Sequence, residues 1–112
     1  MLLSEVVRRL QAEEVVATDE PEIDVRNAAA ADMLSDILAT QKEQFIILTG
    51  LLSPQVIRTA EVVGAIAVFL VRGKYPTQEM IGLAQAHGIP LYTTTLPLFE
   101  ASVRLAPLVE DQ

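Results

Sequence analysis

Hydrophobic positions along the chain form short apolar runs that alternate with helical patterns. In the central segment, residues 44–75, this order predicts a strand, a helix and a second strand. The apolar runs at 45–48 and 65–71 are typical of strands that are buried on both faces of a parallel sheet. Between them, Ser53 and Pro54 predict a helix start. This strand–helix–strand unit predicts parallel pairing with a right-handed crossover.

The segment before this unit has weaker patterns. Residues 2–11 predict an amphipathic helix, and residues 14–17 predict a brief strand. Residues 22–26 alternate strictly between polar and apolar, which predicts a half-buried strand that is antiparallel or at a sheet edge. We expect this strand to continue to about Ala30 and a short helix to follow at 33–39. The alanine-rich stretch at 27–31 is equally compatible with a helix.

The segment after the central unit repeats the alternation of helix and strand. Thr77 and Gly88 are predicted to cap the two ends of a helix. Residues 89–92 predict a third parallel strand, and a last helix carries apolar residues from 98 to 105. The chain is therefore predicted to be one α/β domain over residues 1–112, with three layers: a mostly parallel sheet of about five strands and helices on both faces.

The composition of the chain indicates which kinds of macromolecule it can bind. The 112 residues carry a net charge of −7, which disfavours binding to nucleic acid or to an anionic membrane. No apolar run is long enough to span a bilayer, and the N-terminal sequence lacks a secretory pattern, so we expect a cytoplasmic protein. The positive mean hydropathy is high for a small soluble monomer and favours a homodimer or a bound partner protein.

Three predicted strand ends carry candidate ligand-binding residues. Ligands of open α/β sheets bind beyond the carboxyl ends of the strands. These ends supply hydroxyl groups, amides at helix N-termini and two of the eight basic side chains, a combination that favours phosphate or carboxylate. The candidates are Thr49, Gly50, Ser53, Arg72, Gly73, Lys74, Thr93, Thr94 and Thr95.

A purely structural interpretation of the same residues is open. Ser53, Thr77 and Thr95 would then be helix caps, and Arg72 and Lys74 would keep a turn soluble. If Arg72 does bind the ligand, we expect Arg72→Glu to abolish binding with little change in melting temperature.

The remaining polar residues give little sign of chemistry. His87, the only histidine, suits the negative end of a helix. Asp32 and Asp36 would lie on one face of the short predicted helix, but no third metal ligand is near them in sequence, so a charge preference at the helix start explains Asp32 more simply. The chain has no cysteine, no phosphate-binding glycine motif and no catalytic constellation. We therefore expect no metal, no cofactor and no enzymatic activity, with a small enzyme acting on a phosphorylated substrate as the least favoured class.

Several short motifs resemble those of the DRTGG domain family, and the resemblance covers residues 2–105. They are DMLSDILA at 32–39, FIILTG at 45–50, GAIAVFLVRGKY at 64–75, IPLYTTT at 89–95 and LFEA at 98–101. The Asp-Arg-Thr cluster of the family is replaced here by residues 51–54, Leu-Leu-Ser-Pro. Where Thr-Gly-Gly-Tyr is expected, residues 72–75 are Arg-Gly-Lys-Tyr, so only Gly73 and Tyr75 match.

The resemblance implies a non-catalytic regulatory module that often forms homodimers. DRTGG domains occur beside nucleotide-sensing CBS domains in pyrophosphatases and in front of phosphate acetyltransferase domains. Similar small proteins accompany hydrogenase components. The leading hypothesis is a regulatory domain that binds a nucleotide or another phosphorylated small molecule. The alternative is an assembly factor for a redox or metabolic enzyme, with no ligand of its own.

Overall fold

The computed structural model describes residues 1–109, which form one five-stranded sheet with helices on both faces. In chain order the elements are α1 (Leu3–Arg9), β1 (Glu13–Val16), β2 (Asn27–Ala30), α2 (Leu34–Leu38), β3 (Phe45–Thr49), α3 (Pro54–Val63), β4 (Ala67–Leu70), α4 (Gln78–His87), β5 (Leu91–Thr93) and α5 (Leu98–Leu105), followed by a 3₁₀ turn at Ala106–Leu108. The predicted alternation of strands and helices is confirmed.

The strands lie in the order β1-β5-β4-β3-β2. The four strands β2 to β5 are parallel, and β1 pairs with β5 in the antiparallel direction. The sheet is therefore mostly parallel, as the apolar runs predict. Its four parallel strands all end at one edge, which places the loops after them side by side.

Two apolar cores separate the three layers. Side chains alternate along β3, so that Phe45 and Ile47 pack on the side of α2, α3 and α4, while Ile46 and Leu48 pack on the side of α1 and α5. On the second side the ring of Tyr92 stacks on Phe69 with a centroid distance of 4.6 Å. Burial, together with the charge of Glu14, raises the pKa of Tyr92 to about 12, so its phenol stays neutral and belongs to the core.

The predicted helix caps of α3 and α4 are confirmed. Ser53 accepts a hydrogen bond from the backbone N–H of Gln55, and Thr77 accepts one from that of Met80. Gly64 and Gly88 end the two helices with left-handed φ angles of 75° and 66°.

Two predicted strands begin too early in the sequence. The observed strands β4 and β5 start at Ala67 and Leu91, two residues after the starts of the apolar runs. The reason is that Ala65 and Ile89 each donate their backbone N–H to the end of the preceding helix. These apolar residues complete helix caps and do not pair in the sheet.

The predicted strand from 22 to about Ala30 is confirmed from Asn27 to Ala30, and its first part at 22–26 is wrong. The strand on this side of the sheet is Asn27–Ala30, at the edge, and it is parallel to β3. Asp24 forms only an isolated bridge with Leu2. The alternating pattern arises because Ile23 and Val25 pack against the core under α1, although the segment has no neighbouring strand along its length. The alanine-rich stretch is therefore a strand and not a helix.

His87 joins two helices. Its Nδ1 lies 2.8 Å from a carboxylate oxygen of Glu61 on α3. This contact supports the structural role expected for His87. Within residues 1–109, every helix is too short or too polar to cross a membrane.

Candidate ligand-binding edge

Loops from three neighbouring parallel strands meet at the carboxyl edge of the sheet through Asp32. This residue follows β2, and its carboxylate accepts a hydrogen bond from the backbone N–H of Gly50, after β3, at 2.7 Å. Its other oxygen lies 3.0 Å from a guanidinium nitrogen of Arg72, after β4. The bond from Gly50 lowers the pKa of the Asp32 carboxyl, and Arg72 lowers it further, although burial opposes both. The three residues form one unit, the Asp32 cluster.

The predicted role of Asp32 was wrong. The helix α2 begins after Met33, so Asp32 lies outside it and shares no helix face with Asp36. The carboxylate is instead directed at the neighbouring strand ends. A sequence pattern at helical spacing does not show this, because the partners are 18 and 40 residues away.

Gly50 leaves the space that the Arg72 side chain occupies. A β-carbon at position 50 would lie 1.9 Å from a guanidinium nitrogen of Arg72. The guanidinium group therefore passes directly over the backbone of Gly50. A side chain at position 50 would therefore require the guanidinium group to move.

The loop after β4 is a tight turn with Arg72 and Gly73 at its centre. Both residues have left-handed φ angles, 61° and 70°, and the N–H of Lys74 donates to the carbonyl of Val71. Two consecutive positive φ values are those of a type I′ turn. A left-handed φ is uncommon for a residue with a side chain, so the surrounding contacts hold Arg72 in an unfavourable backbone conformation.

Threonine hydroxyls tie this turn and α1 to the loop after β5. Thr93 donates its hydroxyl to the carbonyl of Lys74, and Thr94 donates its hydroxyl to the carbonyl of Leu10 at the end of α1, at 2.6 Å. Both threonines are buried. Their hydroxyls hold the edge together and are not directed at solvent.

The expected capping role of Thr95 is wrong. The residue preceding the first turn of α5 is Pro97, and no side chain caps this helix. The hydroxyl of Thr94 instead accepts the N–H of Leu96. Thr95 is exposed and makes no cap.

A small pocket of about 200 Å³ opens beside the turn. Its lining residues come from the α1–β1 loop, the turn after β4 and the end of β5: Gln11, Glu13, Gly73, Tyr75, Thr93, Thr94 and Thr95. Tyr75 is 56% exposed. The pocket combines an aromatic face with hydroxyl, amide and carboxylate groups.

Two cations stand at the same turn. The side chain of Arg72 is 41% exposed although it pairs with Asp32. Lys74 is exposed, and its ammonium group pairs with no carboxylate within residues 1–109. An anion at this turn would meet both charges.

The structure divides the nine candidate residues into three groups. Thr49, Gly50 and Arg72 belong to or adjoin the Asp32 cluster, and Gly73, Lys74 and Thr93–Thr95 lie at the turn and its pocket. Ser53 is the cap of α3. Sequence reasoning missed Asp32, Gln11, Glu13 and Tyr75 as members of the edge. Of these, Asp32 and Tyr75 lie within the motifs that resemble the DRTGG family.

The metal-binding groups of the described residues are scattered. Within residues 1–109, no three histidine, aspartate or glutamate side chains come close enough to hold a metal ion.

Comparison with known proteins shows a similarity in structure. No protein-family model and no curated protein matches the sequence. A solved structure does match: the CBS and DRTGG domains of the regulatory region of Clostridium perfringens pyrophosphatase, complexed with its activator diadenosine tetraphosphate. The TM-score is 0.73 at 19% identity, over 93% of this chain and 45% of that chain. The chain thus has the α/β fold that the DRTGG resemblance implies, and it spans less than half of that regulatory region.

Proposed function

We propose that this chain is a non-catalytic regulatory domain that binds a nucleotide, or another phosphorylated small molecule, at the carboxyl edge of its sheet. The observation that carries the proposal is the exposed pair of cations, Arg72 and Lys74, on a turn beside a pocket with an aromatic wall. The similar pyrophosphatase region is regulatory and was solved with a nucleotide activator. That likeness supports a regulatory role for this fold.

The two halves of a nucleotide fit different parts of the edge. Phosphate groups suit Lys74 and the exposed part of Arg72, because charge-assisted hydrogen bonds to phosphate are among the strongest in proteins. A base suits the exposed ring of Tyr75 by stacking. The hydroxyls of a sugar suit Gln11 and Glu13 as hydrogen-bond partners. Glu13 would repel phosphate, so the pocket itself takes the uncharged part of the ligand.

The pocket is also small for a complete ligand. Sites for small molecules usually have volumes of about 300–1,000 Å³. A pocket of about 200 Å³ holds one part of a nucleotide, while the phosphates remain on the open turn. Such a site binds and releases its ligand without enclosing it, as suits a sensor more than an enzyme.

A thermal-shift panel tests the proposal. The compounds are adenine and guanine nucleotides, dinucleotides, acetyl phosphate and inorganic phosphate. A ligand at a hundred times its dissociation constant stabilises the folded state by about 2.7 kcal/mol. In a domain of this size we expect one compound to raise the melting temperature by roughly 10 °C.

Two matched variants place the binding on the turn. We expect Lys74→Gln to weaken binding of that compound about fivefold. Arg58→Gln removes the same charge from an exposed position on α3 and should leave the affinity unchanged. A flat panel, or equal affinity in the wild-type protein and Lys74→Gln, would refute the edge site.

We propose as the second candidate function a cytoplasmic assembly factor that binds a larger enzyme subunit. Large apolar side chains favour it: Phe99 is 80% exposed, and Val103, one turn later on α5, is 51% exposed. This function predicts a flat ligand panel together with co-purification of an enzyme subunit from the native host. Phe99→Lys should abolish that co-purification.

A further inference from the structure

A second cluster of cations lies away from the carboxyl edge, in a groove between α1 and α5. The groove has a volume of about 510 Å³, and its lining includes Arg8, Arg9 and Arg104 together with Glu5 and Gln11. These are three of the eight basic side chains in a chain with a net charge of −7. Three cationic side chains therefore line one open groove, and the other five lie elsewhere on the protein.

Two of the arginines are held together by backbone carbonyls. Arg9 donates its Nε to the carbonyl of Arg104 at 3.5 Å, and Arg104 donates an Nη to the carbonyl of Arg9 at 3.4 Å. Both residues lie in the last turns of their helices, where free carbonyls favour a cation. These long contacts bring two like charges together and use only one guanidinium nitrogen from each residue.

Arg8 also lies in the last turn of α1. Its side chain is exposed and has no hydrogen-bond or carboxylate partner within the described part of the chain. Arg104 has a partner in Glu100, but at 3.5 Å and in an exposed position, where such pairs contribute little. Three guanidinium groups thus face one groove with most of their donors unused.

The carboxylate in the groove is occupied. Glu5 accepts a hydrogen bond from the backbone N–H of Leu2 at 2.9 Å, at the start of α1. It lowers the positive charge of the groove by one, and the three arginines still outnumber it. The net charge of these lining side chains therefore favours an anion.

We propose that this groove binds a small polyanion with two or more phosphate groups. A guanidinium group can form paired hydrogen bonds with a phosphate, so three arginines can serve two or more phosphate groups. The volume of the groove lies within the usual range for small-molecule sites. The site does not depend on the proposed edge site, although Gln11 lines both and makes them neighbours.

Calorimetric titration with inorganic tripolyphosphate tests the groove. This probe has phosphates and no base or sugar, so it offers nothing to Tyr75. We expect saturable binding that weakens when the salt concentration rises from 50 to about 300 mM. The absence of saturable binding at low salt would overturn the proposal.

Charge-matched variants locate that binding. We expect Arg8→Gln/Arg9→Gln to weaken it about tenfold. Arg58→Gln, on the opposite face of the sheet, and Lys74→Gln, at the edge, should each leave it unchanged. If Lys74→Gln weakens it and the double variant does not, the probe binds at the edge and the groove proposal is wrong.

A variant that is expected to tighten binding controls for weaker binding caused by misfolding. Glu5→Gln keeps an oxygen for the N–H of Leu2 and removes the negative charge from the groove. It should tighten tripolyphosphate binding about threefold. An unchanged or weaker affinity in Glu5→Gln would count against an electrostatic site in the groove.

Discussion

At the scale of the residue, Asp32 determines how the carboxyl edge is arranged. One carboxylate receives a backbone N–H from Gly50 and a guanidinium group from Arg72, so it links the loops after β2, β3 and β4. Because both donors favour the ionised carboxylate, the pKa of Asp32 lies below its ordinary value. The free energy that the cluster contributes to folding depends on that charge.

We predict that Asp32→Asn lowers the free energy of unfolding by about 1 kcal/mol at neutral pH, a modest value because both Asp32 and Arg72 are 41% exposed. Since the folded-state pKa is depressed, the contribution is present above about pH 4 and is lost as the pH falls through the lower pKa. Urea unfolding of the wild-type protein and of Asp32→Asn, at pH 7 and at pH 3, measures the free energy of unfolding at each pH. The difference between the two proteins should be full at pH 7 and smaller at pH 3.

Asp36→Asn is the control, since it removes the same charge from α2 without contact to Gly50 or Arg72. If Asp36→Asn destabilises the protein as much as Asp32→Asn, the effect comes from the loss of a negative charge in general and not from the Asp32 cluster.

The Asp32 cluster also changes the expected effect of Arg72→Glu on stability. This substitution would place a second carboxylate against Asp32, so we now expect a lower melting temperature, which makes Lys74→Gln the cleaner test of binding.

Gly50 gives a second prediction at this scale. Gly50→Ala should displace the guanidinium of Arg72 and cost about 1 kcal/mol, the worth of the lost ion pair. In a protein that already carries Arg72→Ala, the same change should cost almost nothing, because the obstructing group is gone. Chemical unfolding of the four proteins in this cycle measures the coupling. Additive effects would show that something other than Arg72 excludes a side chain at position 50.

At the scale of the element, single hydrogen bonds decide how α1 and the turn after β4 dock on the sheet. The hydroxyl of Thr94 reaches the carbonyl at the end of α1 across 84 residues of sequence, inside the protein. The neighbouring hydroxyl of Thr93 holds the turn at Lys74. The position of α1 matters for both proposals, because this helix carries two arginines of the groove and leads into Gln11.

Thr94→Val should therefore destabilise the protein by about 1–3 kcal/mol, because it leaves the carbonyl of Leu10 without its donor and the N–H of Leu96 without its acceptor while keeping the shape of the side chain. Thr95→Val is the matched control at the exposed neighbouring position and should change stability by less than about 0.5 kcal/mol. Thermal and urea unfolding of both variants gives the comparison. Equal effects would mean that the hydrogen bond to Leu10 contributes nothing of its own.

At the scale of the whole molecule, apolar side chains remain uncovered on two sides of the sheet. Phe99 and Val103 stand one turn apart on α5, and Met33 and Leu38 are exposed around α2 on the other side. Exposed apolar patches of this kind mark interfaces in many proteins. They agree with the sequence-based expectation of a homodimer or a bound partner protein.

We predict a solution mass of two chains at micromolar concentration, measured by light scattering. Phe99→Lys/Val103→Lys should give a mass of one chain, because charges on the α5 face prevent its burial. Met33→Lys/Leu38→Lys is the matched change on the other side and should keep the mass of two chains. A wild-type mass of one chain would remove the homodimer, and the reverse result for the two variants would move the interface to α2.

The sequence by itself determined the class and order of the elements. Apolar runs such as 45–48 are typical of strands in a sheet that is covered on both faces, and capping residues such as Ser53 and Gly88 act on their own helix. These apolar runs and capping residues are local signals, so they can be interpreted without knowing which elements pack beside them. The motifs that resemble the DRTGG family added the expected α/β fold, which the likeness to the solved pyrophosphatase region supports.

Tertiary structure alone decided the partners of the polar residues. Whether Arg72 is a free cation or the partner of Asp32, and whether Thr94 faces a ligand or the end of α1, depends on contacts between residues 40 and 84 positions apart. Local patterns carry no information on such distances. They also failed at 22–26, where alternation reported which side chains are buried but not whether another strand lies alongside. The physical reason is the same in each case. The order of polar and apolar residues indicates which side chains are buried, whereas the partners of strands and polar side chains depend on contacts that form only in the folded protein.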